Sequence, residues 1–436
     1  MTTPTALNVA DFGAYGDGAH DDTVAIQNAV NAAMQQGVAL CFTQPLYNIS
    51  SEIECRPVVG SNIGSSFPSS EAINFTPGLK SLRLFSNCRS VIRATASMNA
   101  VLNFVYNASV ADAAPYFGGT DGLVLDGGNF ANYGIFGNWC YAMRIEHTGI
   151  ERCAIGIVNN GYGEYLIENN QIFCPICVQV QSGGDTDIID NNFWPSNIAI
   201  DLQQNGGDMY IARNVFNRDD NGSVPNAVLI GVNLNGTLSI PNGCPDVYVG
   251  FNEFDGFDTA VMAHGNTESN NTYNLLVTGN HTRSSAAGAG HNTAVLLEAH
   301  NVFSVNVKGN FINSSPAVAA TDIGVKLYNC TGGLVEGNIF TNVDGACVYI
   351  KDSDQISVLG NSMRDTGKLG TTYPAVCLDG ATKNCLVNSN NLFQSNPAFG
   401  QLFLQELGTS DCNEGYANKA NVTTKYAPSG AHSTFS

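Results

Sequence analysis

Charge is scarce in this chain, and basic charge is the scarcest. Only 13% of its 436 residues are charged, with 18 basic against 37 acidic side chains and a net charge of −19. Lys and Arg form no cluster, which excludes the electrostatic footprint of a nucleic-acid-binding protein. The acidic balance also repels anionic polymers at long range, so an anionic substrate needs local cations. No apolar run approaches the length that spans a bilayer, so no membrane insertion is expected. The opening "MTTPTALNVADFG" lacks the basic and apolar segments of a secretory signal. A disulfide framework is missing too: the 13 cysteines are odd in number and scattered from Cys41 to Cys412. That pattern suits reduced thiols packed as small hydrophobes, in a protein made in a reducing cytoplasm. What the chain does have is apolar material, 44% of its residues, which is ample for a core.

The middle of the chain repeats. A short β-rich run followed by Asn recurs at Asn170, Asn191, Asn214, Asn252, Asn280, Asn310, Asn338, Asn361 and Asn391, at intervals of 21 to 38 residues. Examples are "LIENNQI", "YIARNVF" and "VNVKGNFI". A second run follows most of them, as in "AVMAH", "AVLLE", "GVKLY", "CVYIK" and "AVCLD". Two or three short strands per turn of about 20–30 residues, separated by Gly, Asn and Asp, describe a parallel β-helix. The gaps are too short and polar for the helices of a βαβ fold. A propeller needs longer, regular blades. The recurring Asn reads as a turn residue that tolerates left-handed backbone, stacked from coil to coil.

Near the N-terminus, "VADFGAYGDGAHDDTVAIQNAV" crowds four acids, Asp11, Asp17, Asp21 and Asp22, ahead of an amphipathic segment. Ile26, Ala29, Val30 and Ala33 share one helical face, Asp21 or Asp22 can cap it, and Gly37 stops it. This stretch resembles the entry signature of the pectate-lyase-like right-handed β-helix superfamily, with phage tailspike depolymerases and mannuronan epimerase modules among its members. "GLVLDGGNF" (122–130) and the Asn repeats agree more loosely, as far as about residue 405. The resemblance implies an all-β, right-handed parallel β-helix with an N-terminal capping α-helix. The expected layout is an entry motif and helix over 1–40, the β-helix over 41–405 and a mobile polar tail over 406–436. It also implies that Asp17, Asp21 and Asp22 build the entry and cap rather than a catalytic site.

In a β-helix, alternate residues of each strand point outward and equivalent positions form columns. Aligning the second runs on their small-residue/Val or Ile pairs gives an outward column of Gln203, Gly231, His264, Glu298, Tyr328, Lys351, Asp379 and Gln405. The expected catalytic residues are His264, Glu298, Tyr328, Lys351 and Asp379. A neighbouring column reads Asp201, Leu229, Met262, Leu296, Lys326, Tyr349, Cys377 and Phe403. It is mostly apolar, which suits a floor for sugar rings or, more simply, a face packed on another subunit. Asp201, Lys326 and Tyr349 are its expected substrate-binding members. Glu298 and Asp379 fall three coils apart, roughly 14 Å, too far for a two-carboxylate glycosidase. Lys351, His264 and Tyr328 instead offer a cation, a base and an acid for lyase chemistry.

Other motifs read as structure. "CPIC" (174–177) lacks a second pair, and inert core thiols are the simpler reading. Asp185, Asp187 and Asp190 have the hard oxygen ligands that suit calcium, but acidic turn residues explain them as well, so no cofactor or metal is expected. Arg144, Glu146 and His147 read as a surface charge network, and Trp139 and Trp194 as buried rings or sugar platforms. The resemblance implies a tailspike-like homotrimer that cleaves a bacterial surface or other acidic polysaccharide by β-elimination or hydrolysis. Such a protein works on a virion tail, or outside the cell after lysis. The alternatives are a uronate epimerase or fructotransferase-type enzyme, and a non-catalytic glycan-binding spike.

Overall fold

The computed structural model describes residues 6–55, 82–105, 117–203 apart from 139, 141, 162 and 163, 208–218, 229–235, 246–265, 274–283, 295–313, 323–367 and 372–436. Among the described residues, short strands run parallel in three sheets, with one α-helix, as a right-handed parallel β-helix. The chain forms two compact units. The first is Met1–Pro195 with Asn205–Gly207, and the second is Ser196–Gln204 with Asp208–Ser436. Among the described residues no helix is long and apolar enough to cross a membrane.

In the first unit, the helix Thr23–Gln36 buries Ile26, Ala29, Val30 and Ala33 completely. Burying an Ile or Val side chain stabilises by about 1.5–3 kcal/mol, so this one face holds the helix against the unit. The Gln27 side chain donates to the Glu54 carbonyl and accepts from the Glu54 N–H, both at 2.9 Å, and so tethers the helix to a strand edge. The acids serve this cap. Asp21 accepts from the Thr23 N–H at 3.0 Å, satisfying a helix N-terminal donor. Asp22, almost wholly buried, accepts from the N–H groups of Tyr15 and Gly16 at 2.6 and 3.1 Å and latches the preceding loop. Asp17 closes its own turn through the N–H groups of Ala19 and His20. Gly16 must be glycine, because its φ is +61° and a Cβ there would meet Gln44 and Tyr47.

In the second unit each coil lays one strand in each sheet. The coil around Asn280, for example, runs Asn274–Thr278 in sheet 1, His281–Arg283 in sheet 2 and Val295–His300 in sheet 3. Inward positions stack like with like. Val261, Leu297, Val325, Val348, Val376 and Leu404 form one buried column of sheet 3. Phe216 and Phe254 stack in sheet 2 with centroids 4.4 Å apart.

The Asn at the turn from sheet 1 to sheet 2 is the spine of the fold. Asn310 is typical: its N–H and Nδ2 both donate to Asn338 Oδ1 at 2.9 Å, and Nδ2 also donates to the Val277 carbonyl at 3.0 Å. The same pattern links Asn214, Asn252, Asn280, Asn310, Asn338, Asn361, Asn390 and Asn418. The rung expected at Asn391 is therefore Asn390. The left-handed geometry sits one residue earlier, at Phe251, Gly279, Gly309, Gly337, Gly360, Ser389 and Ala417. Each Asn is buried because its amide replaces the partners that water would have supplied.

The expected tail over 406–436 carries further coil strands. Glu414–Tyr416, Lys419–Ala420, Thr424–Ala427 and Thr434–Phe435 each pair in parallel with the coil before. Its polar composition concealed a buried carboxylate. Glu406 accepts from Asn413 Nδ2 and Ser433 Oγ, both at 2.7 Å, and from the N–H groups of Ser429 and Gly430 at 3.0 and 3.1 Å.

Candidate functional site

All eight expected site residues lie in the second unit, on strands of sheet 3. The observed register gives two outward columns. One reads Asp201, Asn233, Met262, Glu298, Lys326, Tyr349, Cys377 and Gln405. The other reads Asn235, His264, His300, Tyr328, Lys351 and Asp379. Glu298 thus moves to the column of Lys326, and His300 stands beside His264 in its place. Leu296 and Phe403 are fully buried and Leu229 nearly so, which removes the apolar outer floor expected from them. Gly231 opposes core rings, with a would-be Cβ 2.5 Å from Phe254.

Glu298 is the centre of the arrangement. His300 Nε2–H donates to its Oε1 at 2.9 Å and Lys326 Nζ donates to its Oε2 at 3.1 Å. The ionised carboxylate can only accept, so it holds the proton on Nε2 and leaves Nδ1 as the basic nitrogen. Burial alone would raise the Glu298 pKa, but the His300 and Lys326 contacts pull it below the ordinary carboxylate value. The His300 ring lies between two neighbours, with centroids 4.9 Å from His264 and 4.6 Å from Tyr328, both nearly parallel. Burial, then the adjoining His300, lowers the His264 pKa. Burial, then the charges of Glu298 and Asp379, raises that of Tyr328, so its proton is retained at neutral pH.

Lys351 follows Tyr328 in the column and precedes Asp379. Among the described residues it has no ion-pair partner. Asp379 instead accepts from Tyr349 Oη at 2.5 Å and from the Gly380 N–H at 2.7 Å. Burial and that bond push the Tyr349 pKa well above the phenol value. Asp201 stands three strands before Glu298 and is buried, accepting from Gln203 and Asn233 at 3.0 and 2.9 Å. The structure therefore brings together His264, Glu298, His300, Lys326 and Tyr328, with Lys351, Tyr349 and Asp379 adjoining, and leaves Asp201 apart. His300 is the residue that column reading missed. Its signal was the shared ending of "VMAH" and "LEAH".

The first unit offers a different surface. A cavity of about 540 Å³ on sheet 1 is lined by Arg144, Glu164, Leu166, Asp185 and Asp187 among others. Burial, then Asp185, raises the Asp187 pKa. Asp190 adopts the left-handed turn conformation. Arg144 and Arg83 each lie 3.8 Å from Glu146, and His147 Nδ1 lies 3.0 Å from Asp121, as a surface network. Cys174 and Cys177 are buried free thiols, and Trp194 stacks on Phe173 with centroids 4.2 Å apart. Trp139 lies outside the described residues.

Residues 6–71 match the family model "Rhamnogalacturonase A/epimerase, pectate lyase-like". This span holds the acid-built loop and the capping helix, at the entry to parallel three-sheet coils. The entry segment of the chain is thus similar to pectate-lyase-like proteins. No curated protein matches it in sequence. Among solved structures, pre-mature bacteriophage phi29 gene product 12 is similar to this β-helix at 12% identity and TM-score 0.51, covering 98% of this chain and 57% of that one. The Azotobacter vinelandii mannuronan C-5 epimerase AlgE6 A-module is 17% identical, with TM-score 0.44, covering 98% and 97%. Bacteriophage CBA120 tailspike protein 3 is 12% identical, with TM-score 0.46, covering 97% and 59%. At these identities the likeness is one of fold, which this β-helix shares with proteins of differing activity.

Proposed function

We propose that this β-helix protein is a polysaccharide lyase that cleaves a uronate-containing chain by β-elimination across the outer face of sheet 3. The observation that carries the reading is His300, paired to Glu298 and stacked on Tyr328, with Lys326 and Lys351 on either side and, among the described residues, no second carboxylate on the adjacent strands of sheet 3. Asp201 and Asp379 each stand three strands from Glu298, about 14 Å, beyond the 5–9.5 Å that glycosidase pairs use. In the proposed reaction His300 Nδ1 takes the C5 proton of the uronate, with Glu298 steadying the imidazolium. Tyr328 Oη donates its proton to the departing glycosidic oxygen as the C4–O bond breaks and the C4=C5 double bond forms. Lys351 neutralises the uronate carboxylate, which makes the C5 proton more acidic. His264 and Lys326 are positioning residues.

Incubation with a panel of bacterial capsular and plant polysaccharides tests this reading. Reducing ends and the ultraviolet absorbance of an unsaturated uronate should rise together. Reducing ends without absorbance overturn elimination in favour of hydrolysis. Epimerisation is the second reading, because it starts from the same C5 proton transfer; inverted C5 stereochemistry without cleavage identifies it. Binding without turnover identifies a glycan-binding spike. The proposal extends to the virion-borne homotrimer that the sequence resemblance implies. Sedimentation of the purified chain as a monomer removes that part.

A further inference from the structure

At the far end of the second unit, three side chains of different chemistry converge. Asp411, Cys412 and His432 present a carboxylate oxygen, a thiol sulfur and an imidazole nitrogen that all lie within 4.8 Å of one another. Asp411 Oδ2 and His432 Nδ1 are 2.8 Å apart, and Asp411 Oδ1 accepts from the His432 N–H at 2.7 Å. That second bond orients the carboxylate, as outer contacts orient metal ligands. The approach is built into the backbone. Gly430 packs so closely that a Cβ would meet Asp411 Oδ1 at 2.6 Å and the Ser410 carbonyl at 2.5 Å. Buried Glu406 holds the same turn through Ser429, Gly430 and Ser433.

We propose that Asp411, Cys412 and His432 form a binding site for a divalent cation of the zinc class, separate from the sheet 3 face. Thiolate, imidazole and carboxylate together select a borderline-soft transition ion over calcium or magnesium, which take oxygen ligands. Zinc bonds of about 2.0–2.3 Å at tetrahedral angles put two donors roughly 3.3 Å apart. The Asp411–His432 pair need open by only about half an ångström to admit the ion. Both Cys412 and His432 are exposed, so the ion has an entry path and water can fill the fourth position. The site joins two successive coils, since His432 lies two residues before the strand Thr434–Phe435 and Asp411 three residues before its partner Glu414–Tyr416. A bound ion would staple the last strand to the coil beneath it.

The test is titration of the chelator-stripped full chain with Zn²⁺ against a chromophoric competitor, with Co²⁺ as a spectroscopic probe. One equivalent should bind, and Co²⁺ should give a thiolate charge-transfer band. Cys412→Ser should abolish the band, and His432→Ala and Asp411→Asn should each weaken Zn²⁺ binding at least about tenfold. Hydrogen exchange over 432–435 should slow on adding Zn²⁺ to the wild type. Cys88→Ser, which alters the other exposed described thiol, should change nothing. Absence of one-equivalent binding overturns the site. So does binding that survives Cys412→Ser and His432→Ala, or that is lost only in Cys88→Ser.

Discussion

Tyr328 lies flat against His300, with ring centroids 4.6 Å apart and planes 13° from parallel, on strands that are hydrogen-bonded neighbours. The proposed acid and base are thus held face to face at one strand spacing by the sheet that carries them. Tyr328→Phe keeps the stack and removes the proton. Turnover on the cleaved polysaccharide should fall about 10²–10⁴-fold, with an unchanged unfolding midpoint. Retained turnover assigns the acid to another group.

In the proposed reaction Glu298 acts through its neighbours His300 and Lys326. Glu298→Gln retains an acceptor for one of them but loses the charge that steadies His300 and Lys326. The expected result is a fall in kcat of about tenfold to 10²-fold with KM little changed, a positioning effect. An equal loss of binding would mean that Glu298 contacts the sugar directly.

The acid side of the stability profile should carry the mark of His264. Its folded pKa lies below the ordinary 6.5, so as pH falls the unfolded chain binds that proton first. This contribution is intact above about pH 6.5 and is lost as pH drops through the lowered folded value. Glu298 has the same sign lower down, with its loss beginning below 4.5. Denaturant unfolding across pH should show both declines, and His264→Gln should remove the first and keep the second.

Asn310→Ala strips an acceptor from the Asn280 N–H and a donor from the Val277 carbonyl, both inside the coil. Two buried groups left without partners cost about 2–4 kcal/mol. Urea unfolding should show that loss. Asn274→Ala, at an exposed position, should stay within about 0.5 kcal/mol.

Glu406 gathers four donors from three segments. Glu406→Gln leaves one acceptor oxygen and should quicken hydrogen exchange over 429–435. Glu406→Ala should quicken it further while the coils before residue 400 keep their protection. Uniform loosening of the whole second unit would show that the last turn is not an independent element.

The fold was legible because its signals are local and repeated. The helix face from Ile26 to Ala33, its Gly37 stop and the Asn-bearing turns can each be read from a few adjacent residues. The register of sheet 3 was not. A shift of one residue would have put apolar side chains outside and betrayed itself, but a shift of two preserves the alternation of inward and outward positions. "AVLLEAH" offers both Ala294–Val295 and Leu296–Leu297 to the inward column, and only the second carries His300 beneath His264. The Asn390–Asn391 pair left a similar ambiguity of one position. Glu406 went unread because a burial site assembled from residues 413–433 has no local signature.

The asparagine spine has a consequence for how such a chain can grow. Successive rungs from Asn214 are 38, 28, 30, 28, 23, 29 and 28 residues apart, yet each makes the same bonds to the next. All variation in span is taken up in the excursions, and none in the rung. Lengthening an excursion is therefore tolerated in any increment, whereas the stack itself can gain or lose only whole coils. The second unit is quantised from rung to rung and free within each excursion.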